Sequence, residues 1–207
     1  MNKTFNNIPK DKKEAILKAA LEEFSMNGYE KASTNKIVEK AGVSKGLLFH
    51  YFSNKRRLFI YVYNYYFNFL KEKLYINIDT EERDVLERVK KWTIVKIELI
   101  EKYPIVFMLF IKSRLNMPQD IKAILEKNQS REIKEAYEKI LFNIDYSKFK
   151  DNVNVQKCLK ILMWTLEKYS EEYMIFNMNN SLLNIKKNNI KKEIQEYTDI
   201  LTTAFYK

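Results

Sequence analysis

One cysteine, one histidine, three glycines and three prolines are all that this chain of 207 residues holds of the types that usually build disulfides, metal sites and tight turns. With Cys158 alone, neither an intramolecular disulfide nor a thiolate metal cluster can form. Its neighbours, QKCLKILMW, put it on an amphipathic helix as a buried, inert thiol rather than a nucleophile. His50 has no second imidazole or cysteine pair with which to hold zinc. No Ser-His-Asp arrangement can be assembled around it, so the expectation is a chain that is not an enzyme and carries no metal and no cofactor. No run of about 18 apolar residues occurs, and MNKTFNNIPKDKK at the N-terminus lacks an apolar stretch of signal-peptide length. The expected location is the cytoplasm, with no membrane partner. The scarce glycines, Gly28, Gly42 and Gly46, all lie in the first quarter, whereas Pro104 and Pro118 stand alone in the remainder. That asymmetry predicts a tightly turned N-terminal unit followed by long helices.

Hydrophobic residues make up 46% of the chain, enough for a substantial core, and the formal net charge is +10. Such a charge fits an anionic partner, nucleic acid or membrane surface. It fits equally a compositional bias, because Lys, Asn, Ile and Tyr are abundant from end to end.

Periodicity predicts helices almost throughout. Ile16, Leu17, Ala20, Leu21 and Phe24 recur at helical spacing over residues 10–27, and Asn27-Gly28 closes that helix. Ser33 is placed to cap a second, short helix with Ile37, Val38 and Ala41 inward. Gly42 ends it, and Ser44 is placed to cap a third. Longer helices follow over 58–74, 81–102, from Pro104, from Pro118 to about 142, and over 153–178 and 182–206, the last two separated by NMNNS. The expected fold class is all-α with about nine helices. A three-helix N-terminal unit, residues 1–54, precedes a larger helical body, residues 55–207.

Two short helices joined at Gly42 form a helix-turn-helix pattern at about 33–52. Ala41 is small enough for close approach, Gly42 supplies a positive φ, and Val43 is an apolar plug. On a helical wheel Leu48 and Phe52 point together as core anchors. Gly46, Leu47 and His50 point away from them, flanked by Lys45, Phe49 and Tyr51. An outward apolar and aromatic patch calls for a partner, and the second helix of such a motif enters the DNA major groove. The alternative is a core helix buried on all sides.

The wording of the stretch AILKAALEEFSMNGYEKASTNKIVEKAGVSKGLLFHYFSNKRRLF closely resembles the N-terminal domain of the tetracycline-repressor (TetR/AcrR) family of transcription regulators. The matching features are Phe24, Gly28 and Tyr29 as F-x-x-x-G-Y, Ala41 to Ser44 as the A-G-V-S turn, the K-G and aromatic cluster ending in Phe52, and Lys55 with Leu58 and Phe59. They cover residues 10–60. The resemblance implies a dimeric, ligand-responsive regulator, most often a repressor, binding a palindromic double-stranded operator. It implies that Thr34 contacts a phosphate, that Lys45 and Gly46 approach bases, that Phe49, His50 and Tyr51 form the aromatic cluster contacting backbone and base edges, and that Lys55 anchors a phosphate. Leu47, outward on the wheel, is a further DNA-contact candidate that can at most touch a thymine methyl. Two positions depart from the family pattern. Phe49 stands where Tyr is frequent, and Tyr51 replaces a frequent His, with His50 one position earlier.

In such a family the body holds a small-molecule effector. The candidate residues here are Trp92, Lys96, Tyr103, Phe107, Phe110, Met163, Trp164 and Glu167, since aromatics and methionine suit an adaptable apolar pocket. The same stripes also suit an ordinary core. The last two helices are the expected dimer interface, through Leu166, Tyr173, Ile190, Ile194, Tyr197 and Leu201, or else a cover for the body's own core. The alternatives are a helix-turn-helix regulator controlled by a protein partner and, more remotely, a helical enzyme using a central cavity.

Overall fold

The structure is a computed structural model that describes residues 3–115, 117–179 and 190–207. Among the described residues the regular elements are helical, and the sole strand-like feature is an isolated bridge between Phe149 and Tyr206. Nine helices among the described residues have eight residues or more, as the all-α expectation requires. They are α2 (Lys10–Lys31), α3 (Thr34–Ala41), α4 (Lys45–Phe52), α5 (Lys55–Tyr75), α6 (Val85–Lys102), α7 (Pro104–Leu115), α8 (Gln119–Ile140), α9 (Val155–Asn179) and α10 (Ile190–Phe205). A single turn, α1 (Lys3–Asn6), precedes them and was not expected.

Local chemistry explains where the boundaries differ from the sequence reading. Gly28 takes φ 67 and interrupts α2 where a stop is expected, but one more turn follows to Lys31. Residues 81–84 stay outside α6 because acidic side chains bond the backbone there. Asp79 Oδ1 accepts from the amides of Glu81 and Glu82, and Asp84 Oδ1 caps α6 by accepting from Leu86 and Glu87. The expected helix start at 182 and part of NMNNS lie outside the described residues.

The chain divides into two compact units, and neither is contiguous. The first takes residues up to Leu70 together with Tyr103–Ser130, and the second takes Lys71–Lys102 together with Arg131–Lys207. In the first unit α7 packs along α2 and buries Val106, Phe107 and Leu109. Phe24 and Phe59, both fully buried, meet edge to face at 4.9 Å. Packing therefore draws α7 toward the N-terminal helices, whereas the sequence reading places a functional boundary at 54/55.

In the second unit α6 packs on α9 and α10. The inward residues recur every third or fourth position: Val85, Val89, Thr93, Ile97 and Ile100 on α6, Leu162, Leu166 and Ser170 on α9, and Ile194, Thr198, Leu201 and Phe205 on α10. The buried hydroxyls of Thr93, Ser170 and Thr198 donate to the carbonyls four residues earlier, so none costs an unsatisfied polar group. Arg88 is 1% exposed. Its guanidinium donates to the carbonyls of Ile140, Phe142, Thr80 and Glu82, holding the 80–82 loop to the end of α8. Only a rigid fork of donors suits such a set.

Asp84 makes a second clasp one turn before Arg88, at the start of α6. Beyond capping α6, it accepts from the Tyr206 hydroxyl at 2.8 Å and pairs with Lys148 Nζ at 2.8 Å. Burial alone would raise its pKa. The Lys148 ammonium, the Tyr206 hydroxyl and the Glu87 amide outweigh that and hold it below the ordinary aspartate value. A carboxylate lowered on folding stabilises the fold above its unfolded pKa of about 3.9, and that contribution disappears as pH falls through the folded value. Asp84→Asn is therefore expected to lower stability to urea by about 1–3 kcal/mol at pH 7. The gap to the parent chain closes below about pH 4. Equal stability of the two chains at pH 7 would remove the clasp.

Candidate nucleic-acid interface

The turn between α3 and α4 is built by its backbone. Gly42 adopts φ 63 and ψ 34, the Gly42 amide donates to Glu39 O and the Val43 amide to Val38 O. A Cβ at Gly42 would meet nothing within 4 Å, so the dihedral rather than crowding calls for glycine. Ser44 Oγ then accepts from the Leu47 amide at 3.1 Å and caps α4, as expected. Ser33 stands at the start of α3, but its hydroxyl makes no cap. Its own amide instead donates to Glu23 Oε1 at 2.8 Å, which ties α3 to α2.

Only Leu48 and Phe52 of α4 are buried, at 0% and 2% exposure. That settles the two readings of this helix: it is not enclosed on all sides. Lys45, Gly46 and His50 are exposed, and Leu47, Phe49 and Tyr51 are half-buried on its flanks. Gly46 has no internal reason to be glycine, since a Cβ there would meet only Ser44 Oγ at 4.0 Å. The open backbone faces outward. His50 and Tyr51 stack edge to face at 5.1 Å. Thr34, the first residue of α3, is half-exposed.

Lys55 has a role beyond the one the resemblance implies. Its Nζ donates to the carbonyls of Glu30 and Ala32 at 2.9 and 3.1 Å and lies 4.9 Å from the centre of the Tyr29 ring. The lysine thus caps the end of α2 and joins it to α5, which accounts for the pairing of Gly-Tyr with a lysine 26 positions later. Beside it, exposed Arg57 donates to Ser53 Oγ at 3.3 Å, while its amide is capped by Asn54 Oδ1. Phe5, fully buried against Phe52 and Tyr61, supports this face from behind. A single apolar residue in NKTFNN is too slight a sequence signal to reveal it.

Charge is concentrated in the same unit. The first unit holds 16 of the 37 Lys and Arg but only 8 of the 27 Asp and Glu, leaving 21 and 19 in the second. It therefore carries eight of the ten excess positive charges. Uniform compositional bias does not produce that division.

The effector candidates fall into both units. In the first, Tyr103 and Phe110 meet Phe69 and Tyr63 of α5 at 5.0 and 4.8 Å, and Phe107 lies 6.4 Å from Phe110. On the same α5, Tyr66 has its phenol pushed up to about 12, chiefly by burial and then by Tyr65 and Glu22. In the second unit, Lys96 Nζ lies 5.9 Å from the Trp92 ring centre, and Met163 is buried. Trp164 is 66% exposed and Glu167 is on the surface, so neither side chain lies within the core of that unit. An exposed Glu167 gives no reason to favour a cationic ligand.

The dimer candidates divide in the same way. Leu166, Ile194 and Leu201 are buried within one chain and serve its own core. Ile190 is half-buried, and the Tyr173 hydroxyl donates to Glu101 Oε1 at 2.6 Å. Tyr197 is exposed, as are Ile161 and Trp164 on α9 and Ile200 on α10. Among the described residues no cluster of three His, Cys, Asp or Glu could hold a metal, and no helix is long and apolar enough to cross a membrane.

Known proteins share both the helix-turn-helix segment and the fold. Residues 16–62 match the model of bacterial regulatory proteins, tetR family. The HTH-type transcriptional regulator RutR of Escherichia coli (strain K12) is 31% identical over 127 residues, covering 58% of this chain and 59% of that protein. The fatty acid metabolism regulator protein of Bacillus subtilis (strain 168) is 34% identical over 73 residues, 35% of this chain and 34% of its own length. The chain thus spans less than two thirds of the length of these relatives. Among solved structures, a TetR family transcriptional regulator from Chloroflexus aurantiacus J-10-FL superposes with TM-score 0.67 at 17% identity, covering 99% of this chain and 97% of that one. The transcriptional regulator FadR from Bacillus subtilis in complex with stearoyl-CoA gives TM-score 0.67 at 17% identity, with 92% and 97% covered. The helix-turn-helix wording, its outward-facing α4 and the shared fold lead to one conclusion: residues 16–62 form a domain that matches bacterial regulatory proteins of the tetR family, within a chain that has the fold of such regulators.

Proposed function

We propose that the protein is a dimeric DNA-binding transcription regulator, acting as a repressor on a palindromic operator and released by a small apolar or aromatic effector. The observation that carries this reading is α4, anchored by two buried side chains and turning Lys45, Gly46 and His50 outward in the unit that holds most of the net charge. Residues 1–54 act as the reader and 55–207 as the effector and dimer region. Thr34 and Lys45 supply phosphate and base contacts, Gly46 admits the DNA backbone, and Leu47, Phe49, His50 and Tyr51 form the surface in the groove. With Leu47 and Phe49 offering no hydrogen bond, sequence is read through Lys45, His50 and DNA shape.

Release requires that the effector prefer a conformation that fits DNA poorly. Support comes from α7, which carries Phe107 and Phe110 and packs along α2, where the buried Ser25 hydroxyl lies 2.9 Å from Ile105 O. A ligand that displaced those rings would move α2. The neighbouring FadR, in complex with stearoyl-CoA, supports an acyl chain as one form of the effector. Dimerisation uses the apolar side chains still exposed on α9 and α10: Ile161, Trp164, Tyr197 and Ile200. Two recognition helices about 34–36 Å apart would then enter successive major grooves.

Unbiased selection of bound duplex DNA is expected to return a palindrome, and failure to enrich any duplex would sink the reading. On the selected site, binding should weaken steeply with salt. Lys45→Ala is expected to relax the base preference at the position it reads by about 1–3 kcal/mol, and loss of one full phosphate contact would reduce the slope of log K against log salt by about 0.9. Lys55→Gln should reduce it less while lowering the melting temperature, because two of that ammonium's donors hold α2. Trp164→Glu combined with Ile200→Glu is expected to give a monomer in sedimentation at micromolar concentration, and a persisting dimer would move the interface elsewhere.

A further inference from the structure

The N-terminal turn packs against the back of the recognition helix, outside the matched residues 16–62. Phe5 is 0% exposed. Its ring lies 4.6 Å from Phe52, 5.2 Å from Tyr61 and 5.6 Å from Tyr51, the last two edge to face. Asn6 fixes the same turn from the polar side, since its Oδ1 accepts from the Tyr61 hydroxyl at 2.7 Å and from Lys13 Nζ at 3.0 Å. The arm is thereby fastened to α2 and α5 while its one apolar side chain presses on α4. Phe52 and Tyr61 would suffice for anchorage. The contact with Tyr51 is different in kind, because Tyr51 flanks the outward surface and leans in turn on His50 at 5.1 Å.

We infer that Phe5 is a positioning residue for DNA recognition: its ring sets the orientation of Tyr51, and through Tyr51 that of His50. The inference rests on the DNA-binding reading. Phe5 touches no base itself. Tyr51 has an open side toward solvent, and a half-buried ring with one wall removed gains alternative rotamers. A groove contact made from several rotamers discriminates less between bases, although the helix still reaches the phosphates.

The test compares the full-length parent, Phe5→Ala and Phe5→Leu on the selected duplex and on a scrambled duplex of equal length, at one salt concentration. Phe5→Leu refills most of the volume without a ring edge, so it separates loss of packing from loss of orientation. The expected result is a fall of about three- to tenfold in the ratio of selected to scrambled affinity for both variants, the scale of an aromatic pair. Affinity for the scrambled duplex should stay unchanged. In a Tyr51→Ala background, Phe5→Ala should cause no further fall, since residues acting through one another are not additive. Equal weakening on both duplexes, an unchanged ratio in Phe5→Leu, or additive losses with Tyr51→Ala would each overturn the positioning role. A parent chain that binds neither duplex would overturn the DNA-binding reading itself, a result distinct from the other three.

Discussion

The reader unit depends on how little of α4 is buried. A helix of eight residues that hides only Leu48 and Phe52 has few side chains to fix its direction, so its ends must be held by other means. Ser44 caps the first turn, and the helix stops at Ser53, whose φ of 62 is left-handed and whose amide returns to Phe49 O. Gly42 sets the corner from which it starts. These short-range bonds free the remaining positions from packing duty. A larger buried face would have consumed the residues proposed to meet DNA.

The same economy explains why distant residues belong to this surface. Lys55 bonds the last carbonyls of α2 and lies over Tyr29, so the start of α5 is registered against the end of α2 before any partner arrives. The α7 helix extends this framework, with Ser25 bonded to Ile105 O and Phe110 against Tyr63. In the proposed regulator, an effector on α7 would act on helices already joined to the reader, and the coupling needs no contact between effector and DNA. The second unit is held by polar clasps instead. Arg88 collects carbonyls from two loops, and Asp84 binds the start of α6, Lys148 and Tyr206 together.

Much of the fold was legible because it rests on local rules. Apolar spacing marked the helices, and Gly28, Gly42 and Ser44 stand at the turns and cap that their chemistry demands. The inward pair Leu48 and Phe52 also followed from the helical wheel. Where two local rules competed, the sequence misled. Ser33 offers a cap that its amide's bond to Glu23 does not require, and residues 81–84 have a helical pattern that Asp79 and Asp84 override with side-chain bonds. Burial of α9 and α10 was harder to read. Both faces of those helices carry apolar residues, and periodicity alone does not say that Leu166 and Ile194 lie inward while Trp164 and Ile200 lie outward.

The sequence by itself determined the all-α class, the helix-turn-helix and the family wording of residues 10–60, because each depends on residues adjacent or one turn apart, and its single cysteine excludes an intramolecular disulfide. Tertiary structure alone decided which cations are engaged, which aromatics are walls and which are surface, and that Phe5 reaches α4 across more than forty residues of chain. Those facts depend on the meeting of segments far apart in sequence. No local pattern records such a meeting, since it follows from the packing of the whole unit.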